Sequence, residues 1–380
     1  MLLETIERSS AADIRVELYD SLRRQIRGYF PGGELVLVSK LHLNYSIVDL
    51  AVSLEKLLNA VGLKLPARFP RPLFLATIPA VEVDQALLHG ILAHEIGHAL
   101  YNDRQLPACI FPVDIDQAAL REVVEHVRAP ARPSVDDGST QEAAPLDQMT
   151  LRSVITSGVN STITNWITEL ACDVYGVLTL GPAFIFASLR FSTAFQRLDA
   201  TSATHPPDRL RLRLQFKTLD SLYSASDFSA TTRAYLDDWR SLALLSVGSV
   251  RDLLEHLALA SIKDDVLDRI VTCAKKSLAP SDICGPNRYK AAITSLVPLI
   301  NAQIPPAEVV KGGTVSIADA AGILNAGWEV IMTGAKEFAA GLRDSQSQAA
   351  VATKLNNLLL KALELREVKT TWEELRSVPK

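Results

Sequence analysis

The sequence predicts an α+β protein that is predominantly helical, with a small sheet among the helices of residues 1–225 and an all-helical region over 226–380. Three observations carry this expectation. Two short apolar runs, 35–38 and 73–78, are flanked by Gly32-Gly33 and by Pro70 and Pro72, as strands commonly are. Most other segments repeat apolar residues at the helical period. Beyond residue 225 such stripes follow one another, punctuated by Pro280, Pro286 and Pro305-Pro306.

The elements follow in order. Ile6, Ile14, Leu18 and Leu22 predict a helix within 1–30, ended by Gly32-Gly33. The run at 35–38 continues as a strand or hairpin arm toward residue 44, and 46–61 reads as helix. The strand at 73–78 is expected at a sheet edge, where a peptide backbone can be added. A helix through Leu87, Leu88, Ile91, Leu92, Ile96, Ala99 and Leu100 follows, with Asp84 as its expected N-cap. Residues 129–147, rich in Pro, Ser, Asp and Ala, are expected to form a mobile loop. Helices are expected at 163–180 and, behind Pro206-Pro207, at 208–217. Six more are expected at 231–245, 249–260, 266–278, 290–304, 317–342 and 351–364. No fixed-period repeat is apparent.

Composition narrows the function classes. The 380-residue chain is 48% hydrophobic and 22% charged with a formal net charge of −4, the profile of a soluble globular protein. It has no long basic stripe, which argues against nucleic acid as a partner. The apolar stretch at 174–189 is broken by Gly181-Pro182, so a buried helix pair is expected there rather than a membrane span. The first residues carry Glu4 and Glu7 and lack a cationic start before an apolar core, so a cytoplasmic location is the default expectation. Cys109, Cys172, Cys273 and Cys284 form no CxxC pair, and neither a zinc ribbon nor a disulfide framework is expected.

The chemistry concentrates at His94, Glu95 and His98, an HExxH motif. On a helix, residues four apart stand one turn up the same face, so both imidazoles can reach one ion while Glu95 lies beside it. Two histidines leave a catalytic metal site one protein ligand short. The HExxHxxGxxH solution is absent, because Tyr101 stands where Gly is required and Arg104 where the third His is required. Asp103, Glu122 and Glu125 are near in sequence but form no pattern. Glu169 and Asp173 share a face of an otherwise apolar helix, so the first can bind the metal while the second accepts a hydrogen bond from an imidazole. Buried carboxylates need such partners.

These motifs, followed by Thr204-His205-Pro206, make the chain resemble the gluzincin metallopeptidases of the HtpX and CAAX-prenyl-protease type over roughly residues 70–215. The resemblance implies a zincin-like core over 1–225, Zn2+ held by His94, His98 and Glu169, and hydrolysis of a protein or peptide substrate with Glu95 as general base. It also implies that Asp173 supports an imidazole and that His205, on a corner stiffened by two prolines, lies at the active site. Tyr101 or Tyr175 is a further candidate for stabilising the oxyanion. Cys172 is expected to fill space in the core, and His42, His89, His126 and His256 to be surface or core residues. The alternative is a regulated or catalytically silent protein of peptidase fold that serves as a binding or scaffold module. The region 226–380 is then the candidate platform for partner docking or self-association.

Overall fold

The computed structural model describes residues 15–40, 45–63, 72–128, 147–195, 198–245, 247, 250, 252–311, 313–342 and 347–377. The expected loop at 129–147 lies outside them except for Asp147, as do His42 and the first half of the expected N-terminal helix. The order is α1 (Val16–Tyr29), β1 (Glu34–Lys40), β2 (Ser46–Asp49), α2 (Leu50–Ala60), β3 (Leu73–Pro79), α3 (Leu92–Asp103), α4 (Leu106–Ile110), α5 (Gln117–Arg128), α6 (Gln148–Leu180), α7 (Pro182–Phe195) and α8 (Asp208–Asp220). Then come α9 (Ala230–Leu244), α10 (Leu253–Ser261), α11 (Asp264–Ser277), α12 (Pro286–Asn301), β4 (Glu308–Lys311), β5 (Thr314–Ile317), α13 (Ala320–Met332), α14 (Lys336–Ala340) and α15 (Gln348–Ser377). The protein is mostly helical with a small sheet, as its sequence predicts.

The sheet differs from expectation in a way that matters for the site. Its order is β1-β3-β2, with β1 parallel and β2 antiparallel to β3, so the strand at 73–79 is central and Ser46–Asp49 forms an edge. The apolar periodicity of 46–61 reads as one helix, but the helix begins only at Leu50. The Asp49 carboxylate caps it, accepting from the Val52 N–H at 3.1 Å. Leu35, Leu37, Phe74, Ala76 and Ile78 turn one sheet face into the main core, against Leu92, Ile96 and Leu100 of α3 and the apolar side of α6.

A 3-10 turn at Ala86–Ile91 leads into α3. Asp84 does not cap it through its side chain; Asn356 of α15 instead takes the Ala86 N–H at 2.8 Å and donates to the Asp84 carbonyl. The expected helix pair meets at Gly181, whose φ of 63° suits a residue without a Cβ, and α6 and α7 pack together over it. Buried packing crosses residue 225. Leu257, Leu267 and Ile270 share one core with α3 and α6, while Leu236, Tyr289 and Trp328 share another with α7 and α8.

Three further expectations are corrected. The hairpin β4–β5 interrupts the region expected to be all helical, and the positive φ of Gly334 and Ala335 splits the helix expected at 317–342. Cys109 of α4 and Cys273 of α11 are joined as a disulfide with their Cα atoms 6.0 Å apart, a pairing across 164 residues that sequence spacing does not reveal. No helix among the described residues is long and apolar enough to cross a membrane.

Candidate metal centre

Helices α3 and α6 bring the motif residues together because they approach closely at one point. A Cβ on Gly97, inside the HExxH run, would stand 2.8 Å from the Cys172 Cα, so only glycine permits this approach. Ile96 and Leu100 bury the core side of α3, and Trp166, Ile167 and Leu170 bury that of α6. His94, Glu95 and His98 are thereby set opposite Glu169 and Asp173.

The contacts are specific. His94 Nε2 lies 3.3 Å and His98 Nε2 3.4 Å from the two oxygens of the Glu169 carboxylate. On its other side His94 Nδ1 donates to the fully buried Asp173 at 2.8 Å, which fixes the tautomer that leaves Nε2 facing inward. Glu95 lines the same cleft beside Ile47 of edge strand β2, whose backbone N–H weakly favours its ionised form. His205 stands on the rim with its side chain 58% exposed, its Nε2 3.8 Å from Glu169 and its Nδ1 2.9 Å from the Thr204 hydroxyl. Trp166 and Asn165 of α6 donate to the Ser202 and Ala203 carbonyls, tying this turn to the helix that carries Glu169.

Arg211 of α8 is the residue that sequence reasoning missed. It grips Asp173 with two N–H groups at 2.8 Å each, a bidentate clamp that supplies the buried carboxylate's counter-charge. Its signal was present: it lies six residues after His205, one turn into a helix whose start the prolines fix.

Charge and burial explain the protonation pattern. Burial disfavours a charged His94, but the carboxylates of Asp173 and Glu169 outweigh it and raise its pKa to about 10. Burial and the neighbouring His94 lower His98 to about 4. Burial opposes the Glu169 charge, yet its hydrogen bond to His94 holds it down at about 2. Burial, assisted by the nearby Glu169 charge, lifts Glu95 to about 7, in the range useful to a general base.

Two imidazole nitrogens and an ionised carboxylate thus converge on one point, a donor set that fits zinc and similar ions. The Cys172 sulfur also lies within 4.8 Å of a ring nitrogen of both histidines, so His94, His98 and Cys172 could hold a metal ion. Burial and three surrounding carboxylates push the Cys172 thiol well above its ordinary range, which disfavours the thiolate a metal needs. The carboxylate that already faces both Nε2 atoms is the better third donor.

The remaining candidates fall elsewhere. Asp103 pairs with Arg104, and Glu122 and Glu125 are exposed on α5. Tyr101 is buried in the core and Tyr175 is bonded to Ser277, so neither lines the cleft and neither is placed to stabilise an oxyanion. His89 is buried against the Glu82 carbonyl, while His126 and His256 are exposed. The cleft over the centre has a volume of about 490 Å³, and Tyr45, Ile47, Ile91, Phe184 and Phe191 join the polar residues in lining it. Comparison with protein-family models, curated proteins and solved structures finds no match to this chain.

Proposed function

We propose that the chain is a zinc-dependent peptidase of zincin-like core, with His94, His98 and Glu169 as ligands and Glu95 as general base. The observation that carries this reading is the pair of Nε2 atoms facing one carboxylate while Glu95 lines the same cleft. Bound there, zinc would acidify water toward a pKa of about 7 and polarise a carbonyl.

The chain's own residues supply the rest. Glu95 accepts the proton of the attacking water and returns it to the leaving amine. Asp173, clamped by Arg211, keeps the His94 ring in its orientation. His205 is positioned to donate from Nε2 to a developing oxyanion, an interaction whose loss typically costs about a hundred- to a thousand-fold in rate. The outer edge of β2 can carry an extended peptide backbone past Glu95.

The test is metal analysis together with hydrolysis of an unfolded polypeptide. Wild-type protein is expected to bind about one zinc and cleave, Glu169→Ala to lose most of the metal, and Glu95→Gln to keep metal without turnover. Full zinc occupancy in Glu169→Ala would move the third ligand to another residue.

A further inference from the structure

The far end of α15 carries apolar side chains on its outer face. Val368, Trp372 and Leu375 are 60%, 62% and 66% exposed, and half-buried Leu365 continues their line toward the middle of the helix. Intervals of three, four and three residues put all four on one stripe. Earlier in the helix the same line is polar, because Lys354 and Lys361, two heptads and one heptad before Val368, face water. A helix that exchanges outward lysines for a tryptophan and aliphatic residues offers a surface suited to a partner.

The stripe is held in place from behind. Leu359 and Leu363 bury the inner face of α15 in one core with Leu296 of α12 and Ile323 of α13. On one flank Arg24 of α1 bonds to the buried Glu367 at 2.6 Å and also to Glu374. On the other flank Lys369 bonds to Glu308 of β4. The stripe lies across the helix from Leu359 and Leu363, so a second copy laid along it carries its own body on the far side and the two bodies clear one another.

Charge decides what lies there. Written as a heptad, Leu365 and Trp372 take position a and Val368 and Leu375 position d, which makes Glu364 a g residue and Lys369 an e residue. In a parallel pair of helices in register, g of one chain faces the e residue five positions further along the other. Glu364 then meets Lys369 of the second copy, and two-fold symmetry makes the contact twice. An antiparallel pair would set e beside e and bring the cations Lys369 and Arg376 together, which is unfavourable. Glu364 now bonds to Lys361, and Lys369 to Glu308, but these are surface pairs whose exchange costs little.

We propose that the end of α15 is a self-association surface, on which a second copy of this chain docks in parallel with its Leu365, Val368, Trp372 and Leu375 against their counterparts. The proposal is independent of the peptidase reading. Trp372 is its anchor, the residue type that most often dominates such contacts. Two short helical segments bury less than a standard interface, so the dimer is weak, with a dissociation constant on the order of 10 µM.

The test is sedimentation velocity of the full-length protein from about 1 to about 200 µM, a range that brackets the affinity of so small an interface. Wild type is expected to pass from monomer to dimer across it. Trp372→Glu should stay monomeric throughout with its thermal midpoint unchanged, since the side chain is exposed, and Trp372→Leu should keep most of the dimer. Under mild oxidation Leu375→Cys should form a covalent dimer and Glu373→Cys, on the flank of the helix, should not, because only a parallel pair in register sets the two 375 positions side by side. A wild type that is monomeric at the highest concentration overturns the proposal, as does a dimer that survives Trp372→Glu. So does a dimer that Leu375→Cys fails to cross-link. A monomer that instead sediments with vesicles of phosphatidylcholine and phosphatidylserine, and loses this in Trp372→Glu, would give the stripe to a membrane surface and overturn the second copy as its occupant.

Discussion

At the scale of single residues, the centre is an arrangement of charges that satisfy one another before any ion arrives. Arg211 illustrates its dependence on partners. Arg211→Ala leaves Asp173 fully buried with only His94 beside it, and breaking such a pair costs about 3 kcal/mol. The variant should unfold at lower denaturant and bind zinc about ten- to a hundred-fold more weakly, because the His94 ring loses its support. Unchanged stability and affinity would mean that the clamp is dispensable. Gly97→Ala should also destabilise, by about 1–3 kcal/mol, since its methyl meets the backbone of α6. Protonation gives a third check. His94 has a raised pKa in the folded chain, so the stability it contributes is complete below its ordinary 6.5 and is lost as pH rises through about 10. Denaturation of the metal-free protein should show that loss, whereas zinc, which takes the place of the proton, should remove it.

Among the elements, legibility followed how local the deciding signal was. HExxH and the Glu169–Asp173 pair were readable because one helix face sets their geometry over a few residues. Edge strand β2 was not, because Ile47 and Val48 also fit the helical stripe of 46–61, and only the Asp49 cap marks where that helix begins. The hairpin β4–β5 had a recognisable signal in Val309-Val310 and Val315 around Gly312-Gly313, but the proline pair before it reads as helix punctuation. Tyr101 and Tyr175 failed as oxyanion candidates because closeness in sequence to a motif does not say which way a side chain faces. Edge strand β2 also permits a direct check. Ile47→Pro removes an N–H of the edge strand beside Glu95, along which a peptide backbone would lie, so turnover should fall while bound zinc persists. Unaltered turnover would free the β2 edge from any part in turnover.

For the whole molecule, the architecture places the centre where two buried clusters meet. Leu92 and Ile96 face one cluster and Ala93 faces the other, so α3 is gripped on both sides. The division at residue 225 is a natural reading of composition, yet α10 and α11 pack on α6 and thereby back the helix that carries Glu169. A fragment spanning 1–225 would expose that apolar surface and is expected to be insoluble or molten, as judged by its near-ultraviolet circular dichroism and solubility. A soluble, zinc-binding fragment would restore the two-part description. The most direct test of the central claim compares zinc-loaded wild type with zinc-loaded Glu95→Gln, measuring new peptide termini released from an unfolded polypeptide. About one zinc is expected in each protein, with cleavage by wild type alone. Equal cleavage by both, or none by a wild type that holds its zinc, would contradict it.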